Sequence, residues 1–471
     1  MKTDTNKSGS NVGHWVKKSL CAGIVMGMAM SASTAFAGMK FKEDHGNQMT
    51  PFARIAHVKV VKDEYGNIDR EETYKETGKV AAAIANYVAK YDDSDESGFP
   101  ANWIVGGTEG GVLPADAIMQ IPSPFPVDPE NLSLGIKKAK VLDLCNAYYA
   151  KQALGVAPIA GTTKKVVNGY SHAPALPCEL AVWNDDENIY IDMLDPNAIF
   201  SLFFTDVLVS ADMQDPDFAA AITALPVAVK SEIKTMVYKA LGEAGYKYNT
   251  HDKMIGPKYK TVEELFEVVA ASPHQSPFKH VAYTKTSGES FAPAESAAVA
   301  QAIINTMSIH GGTTPDGRAP GVHDPELEAI LSEPGKNKWR SARHEPLGLP
   351  GKPAKNWVIE ACSPYYAKMA MGTGMHHATA LPCEISVQVI DTDGIADSDG
   401  NFSYEELVIS YLDPHFMLGA LFADMTDDEK AALGDVPGYI LDDLQDIVQF
   451  ALDSEVGGLE VGVSFSYNML P

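Results

Sequence analysis

Hydrophobic and polar positions change period several times along the chain, and the changes occur twice in the same order. Ile55, Val58, Val60 and Val61 make Arg54 to Lys62 read as a strand. Val80, Ala83, Ile84, Tyr87 and Val88 then line one face of a helix from Thr73 to Tyr91. Phe278 to Lys285 repeats the strand, and Pro293 to Met307 repeats the helix, with Val299, Ala302 and Ile303 matching Val80, Ala83 and Ile84. After a Gly/Pro-rich stretch in which Trp103 to Val105 reads as a short strand, Lys138 to Leu144 predicts another, matched by Asn356 to Ala361. Each runs into a cysteine and a short helix bearing Tyr-Tyr-Ala-Lys. Strand pairs follow at Leu180 to Trp183 with Ile189 to Met193, and at Ile385 to Ile390 with Leu407 to Tyr411. The first pair is joined by the short turn of a hairpin. Asp-Pro then opens an apolar helix, Asn197 to Leu208 or His415 to Asp424. A further helix closes each half, Glu232, Ile233 and Met236 matching Asp443, Leu444 and Ile447, and Leu459 to Tyr467 alternates as a last strand.

The echo extends to identical strings. His172-Ala-Pro-Ala-Leu-Pro-Cys178-Glu179 returns as His377-Ala-Thr-Ala-Leu-Pro-Cys383-Glu384. Upstream stand Cys145 and Cys362, and downstream Leu194-Asp195-Pro196 and Leu412-Asp413-Pro414. Three blocks matched in one order indicate an internal duplication. The predicted fold class is therefore α+β: two homologous repeats, each a mostly antiparallel sheet with helices packed on it, forming a pseudo-dimer within one chain. The expected boundaries are a leader at 1–37, a first repeat at 38–250, a linker helix at 251–275 and a second repeat at 276–471. Thr261-Val262-Glu263-Glu264 supplies a capping box for the linker helix.

Cys145…Leu176-Pro177-Cys178…Asp195-Pro196 and Cys362-Ser363-Pro364…Leu381-Pro382-Cys383…Asp413-Pro414 resemble the "domain of unknown function 302" family. The resemblance covers the latter half of each repeat. It implies a compact α+β fold and supplies no reaction or catalytic residue. The tandem arrangement and the long inserts depart from the family's single small domain.

Lys17 and Lys18, the apolar run Leu20 to Met30 and Ala35-Phe36-Ala37 form a signal-peptide pattern, which places the mature protein in the periplasm or outside the cell. No segment after it is apolar for long enough to span a bilayer. The formal net charge is −25, and the leader is basic, so the mature chain is more acidic still. Such a surface repels phosphate backbones and argues against nucleic acid as a partner, leaving a small ligand or a periplasmic protein. A chain of 471 residues exceeds one hydrophobic core, which agrees with the duplication.

With Cys21 removed in the leader, Cys145, Cys178, Cys362 and Cys383 remain, an even number in an exported chain. The duplication favours Cys145–Cys178 and Cys362–Cys383 as structural disulfides. Pairing Cys145–Cys362 and Cys178–Cys383 also respects the symmetry. The rival reading is a thiol site for copper, zinc or reactive sulfur, with His172 and His377 as the imidazoles and Met371, Met375 and His376 as further ligands in the second repeat. Asp397, Asp399, Ser403 and Glu406 follow the spacing of a calcium loop around Gly400, although Ile395 occupies its first position. The stretch holding Arg318, Lys336, Lys338, Trp339, Arg340, Arg343 and His344 is locally basic and reads as a solvated loop. Motifs for serine hydrolysis, zinc proteolysis, phosphate loops and haem attachment are lacking. The expectation is an exported binding or accessory protein, with thiol chemistry as the alternative.

Overall fold

Two antiparallel sheets carry the architecture of the computed structural model. It describes residues 49–90, 103–105, 119–121, 139–167, 169–176, 178–260, 262–271, 276–287, 289–309, 340–344, 356–381, 383–391 and 405–465. The leader and Cys21 lie outside these. The first sheet holds β1 (Phe52–Lys59), β2 (Trp103–Val105), β3 (Met119–Ile121), β4 (Ala139–Asn146), β5 (Cys178–Asn184), β6 (Asn188–Leu194) and β7 (Tyr248–Ile255). Its order is β2-β4-β5-β6-β1-β7, with β3 also paired to β4. The second holds β8 (Phe278–Lys285), β9 (Arg340–His344), β10 (Asn356–Cys362), β11 (Cys383–Asp391), β12 (Glu405–Leu412) and β13 (Leu459–Phe465). Its order is β13-β8-β12-β11-β10-β9. Read from opposite ends, the two orders place β4, β5, β6 and β1 as β10, β11, β12 and β8, while β3 has no counterpart among the described strands. The fold is α+β, as the residue pattern predicts.

The period-two alternation decides which side chains meet which layer. In β4, Leu142 and Leu144 enter the core under the helices of the first half, while Ala139 and Val141 enter a different one. In β10, Trp357, Ile359 and Ala361 face the helices of the second half. The helices Arg70–Lys90 and Pro216–Glu243 cover the first sheet, and Pro293–Ile309 and Val436–Ala451 the second. The remaining core joins the halves. Phe203 lies 5.6 Å from Phe278 and 5.3 Å from Phe416, centroid to centroid. The 3₁₀ turn Gly169–Ala175 rests on β8, β11 and β12, and its counterpart Met375–Ala380 rests on β4, β5 and β6. Each half thus lays its His-Ala-x-Ala segment on the other half's sheet.

The Asp-Pro blocks have a local cause. Asp195 accepts the backbone N–H of Asn197 at 3.0 Å, and Asp413 that of His415 at 2.9 Å, each capping a helix whose first residue is proline. The same two aspartates donate their own N–H groups to the carbonyls of Pro51 and Pro277, both at 2.8 Å. The motif therefore ties a helix start to the strand that opens its half.

Several elements differ from expectation, among them the unpredicted strand Met119–Ile121 and helix Asp427–Leu433. The helix predicted over Asn197 to Leu208 is divided into Pro196–Phe203 and Thr205–Leu208, with Phe204 between them. Tyr248–Ile255, which straddles the expected boundary at 250, is a strand paired with β1. Arg340–His344, read as loop, pairs with β10 at the sheet edge. Among the described residues no helix is long and apolar enough to cross a membrane.

Candidate functional site

Each half contains an apolar cavity where its cysteine strands end. The first has a volume of about 70 Å³ and is bordered by Cys145, Tyr149, Leu176, Cys178 and Phe204 among others. The second, of about 50 Å³, is bordered by Cys362, Tyr366, Leu381, Cys383 and Phe422. These five positions correspond one to one in the repeated blocks. The long helix of each half closes the far wall, through Val229 and Ile440.

The tyrosines at these cavities are already engaged, while the buried Ser363 hydroxyl at the second cavity has no hydrogen-bond partner among the described residues. Tyr149 donates its hydroxyl to Glu232, which also accepts Trp103 Nε1–H at 2.8 Å. Tyr366 donates to Asp443 at 2.9 Å. Glu232 and Asp443 are the matched residues of the closing helices, so each Tyr-Tyr block locks a short helix onto a long one. Burial raises the Glu232 carboxyl above its ordinary value, and Tyr149 and Trp103 pull in the opposite direction.

Cys145, Cys178, Cys362 and Cys383 are free thiols, where one disulfide in each half was expected. The strand register gives the reason. Cys178 stands opposite Leu144, and Cys383 opposite Ala361. Each upstream cysteine is therefore one residue past the registered position, and a one-residue offset sends a side chain to the other sheet face. Cys362 belongs to the core between the halves and Cys383 to the core under the helices. Burial holds three of these thiols in the protonated form: Cys178 is pushed up to about 12, and Cys145 and Cys383 also rise. A thiol so shifted is a poor nucleophile, because the thiolate is the reactive species.

The histidines do not join the cysteines. His172 is buried, with Nδ1 at 3.2 Å from the Gly169 carbonyl and Nε2 at 2.8 Å from Asp206, and its ring stacks on Phe204 at 4.2 Å. His377 is placed equivalently, with Nε2 at 3.0 Å from Asp424 and its ring 4.2 Å from Phe422. Neither borders a cavity. The soft-metal set Cys145/Cys178/His172, like its second-half counterpart, is thus divided between a pocket and the interface of the halves. Met375 packs in the shared core. Of the calcium-loop residues, Glu406 lies on β12 paired with Ile390, and Asp397, Asp399 and Ser403 lie outside the described residues. The basic residues Arg318, Lys336 and Lys338, with Trp339, also lie outside them.

No family model, curated protein or solved structure matches the chain. Its own two halves are therefore the comparison that bears on the site.

That comparison brings out a second group. Asp143 and Glu179, which flank the cysteines of the first half, meet Glu360 and Glu384 of the second across the boundary between the sheets. All four are buried, at 2–4% exposure. Burial raises all four carboxyls above the usual range, and mutual repulsion raises Asp143 and Glu384 further. Asp143 faces Glu360 and Glu179 faces Glu384, so each buried carboxyl has a like group beside it and ionisation is disfavoured. The Pro-Cys-Glu string gave the only sequence signal for this cluster.

Proposed function

We propose that the chain is an exported, non-catalytic binding protein, built as a two-repeat pseudo-dimer, in which each repeat holds a small apolar ligand beside its cysteines. In this reading each half is a copy of the α+β domain that its sequence blocks resemble. One observation carries the proposal: two cavities of similar size are bordered by corresponding residues in the two halves. A gap that is merely a packing defect has no reason to recur at matched positions, because close packing is the rule in protein interiors. The walls favour a mostly apolar occupant, since the tyrosine hydroxyls are bonded to Glu232 and Asp443 and burial raises the Cys145, Cys178 and Cys383 thiols, with the Ser363 hydroxyl the one unpartnered polar group at the second cavity among the described residues. Concave, mostly apolar sites with few polar groups are the usual form of small-molecule sites.

Thiol-based binding of copper or zinc is the second reading, supported by two thiols bordering each cavity. Native mass spectrometry and metal analysis of protein purified from its own compartment separate the two. A co-purified organic mass released on denaturation supports the apolar ligand. Stoichiometric copper or zinc that is lost on substituting Cys178 and Cys383 by serine contradicts it.

A further inference from the structure

Asp424 lies between two neighbouring histidines. His376 Nε2 is 3.0 Å from Asp424 Oδ2, and His377 Nε2 is 3.0 Å from Asp424 Oδ1. The ligand atoms of the three side chains all lie within 4.8 Å of one another. We propose that His376, His377 and Asp424 form a binding site for a borderline divalent transition ion such as Zn²⁺, present in the second half alone.

The hydrogen bonds behind His377 carry the argument. Thr373 Oγ1 lies 2.7 Å from the Ala370 carbonyl, which can only accept, so the hydroxyl donates there. Its oxygen therefore accepts from His377 Nδ1–H, 2.8 Å away. A neutral ring has then spent its proton, and its Nε2 lone pair points at a carboxylate oxygen. Two lone pairs at that distance need a cation between them. A metal ion meets the requirement. The Thr373 contact is the outer partner that fixes tautomer and ring orientation in metal-binding histidines.

The surroundings suit an ion with open positions. His377 is fully buried at its side chain, whereas His376 and Asp424 are 18% and 27% exposed, which leaves room for water ligands. Two imidazoles and one carboxylate are the protein ligands of an open zinc site, and the nitrogen-rich set favours Zn²⁺, Ni²⁺ or Cu²⁺ over Mg²⁺ or Ca²⁺. Phe52 of the first half packs edge-on against His376 at 5.3 Å. Gly374 makes the arrangement possible, because a Cβ there would lie 2.7 Å from His376 Cε1 and 3.3 Å from His377 Cε1.

The first half supplies the internal control. His172 and Asp206 repeat the pair, but Ser171 stands where the second half has His376. Two ligands are left, and a proton suffices there. The site is thus independent of the two apolar cavities and of their proposed role.

The test is Zn²⁺ binding by chelator-treated full-length chain, with Co²⁺ as a spectroscopic stand-in. The parent is expected to bind one equivalent. His376→Ser, which installs the first half's residue at a partly exposed position, is expected to weaken binding at least about tenfold with unchanged circular dichroism. The Co²⁺ spectrum is expected to lack thiolate charge-transfer bands, and Cys362→Ser/Cys383→Ser to bind as the parent does. Equal affinity of His376→Ser and parent, no binding by the parent, or thiolate bands in the Co²⁺ spectrum would each overturn the proposal.

Discussion

Glu384→Gln should change how stability depends on pH, and the sign follows from the carboxyl cluster between the sheets. Free carboxyls titrate near pH 4, whereas burial and mutual repulsion raise these four in the folded chain. Between the two ranges the folded chain holds protons that the unfolded chain has lost. Their contribution to stability is complete below about pH 4 and declines as pH rises through the raised values. Each retained proton gives a slope of about −1.4 kcal/mol per pH unit. Glutamine at 384 keeps the shape of the side chain and removes one of the buried titrating carboxyls. It should remove one proton's slope, leaving the variant curve shallower by about 1.4 kcal/mol per unit. Urea unfolding of parent and variant at intervals from pH 5 to pH 8 reads the difference directly. Parallel curves would refute the raised value at Glu384, because every other titrating group is common to both proteins.

Other positions yield simpler outcomes. Tyr366→Phe deletes the bond to buried Asp443 and should cost about 1.5–3 kcal/mol of unfolding free energy; a loss below about 0.5 kcal/mol would deny the tyrosine its locking role. Gly155→Ala should destabilise by more than about 1–3 kcal/mol, because Gly155 has φ +67° and an added Cβ would lie 2.1 Å from the Val166 carbonyl oxygen. Its thermal midpoint should fall, whereas Gly245→Ala, strained at φ +79° but facing open space, should fall less. At pH 8, thiol reagents should modify Cys178 slowly and Cys145, Cys362 and Cys383 only on unfolding, since these three are buried. Rapid labelling of Cys145, Cys178 and Cys383 in the folded chain would contradict their raised values, and failure to label even after unfolding would mean bridged sulfurs.

The sequence made the cores legible wherever one face of an element is apolar. Val80, Ile84 and Val88 are all buried on their helix, and Phe278 to Lys285 is a strand with the predicted ends. β7 was hidden because Tyr-Asn-Thr-His-Asp-Lys-Met-Ile shows no alternation: it is an edge strand with both faces partly exposed. The expected disulfides rested on count and compartment, and neither contains the one-residue register offset that separates the thiols. His172 and His377 stood six residues from a cysteine in sequence, yet each 3₁₀ turn brings its imidazole against a phenylalanine of the opposite half, Phe278 and Phe52 respectively. Asp206 and Asp424 were invisible as partners because each lies on a separate segment after the Asp-Pro helix. The carboxyl cluster needs both halves to meet, which no single repeat can reveal.

The most direct test of the paired cavities is the number of small apolar probes the folded chain takes up, with xenon in pressurised crystals as the probe. Xenon enters dry apolar cavities of comparable kind. The account predicts one site beside Cys145 and Cys178 and a second beside Cys362 and Cys383. Leu176→Phe should fill the first alone and Leu381→Phe the second alone. Xenon in neither cavity of the parent, or uptake indifferent to both substitutions, would contradict the claim that the two halves carry equivalent binding pockets.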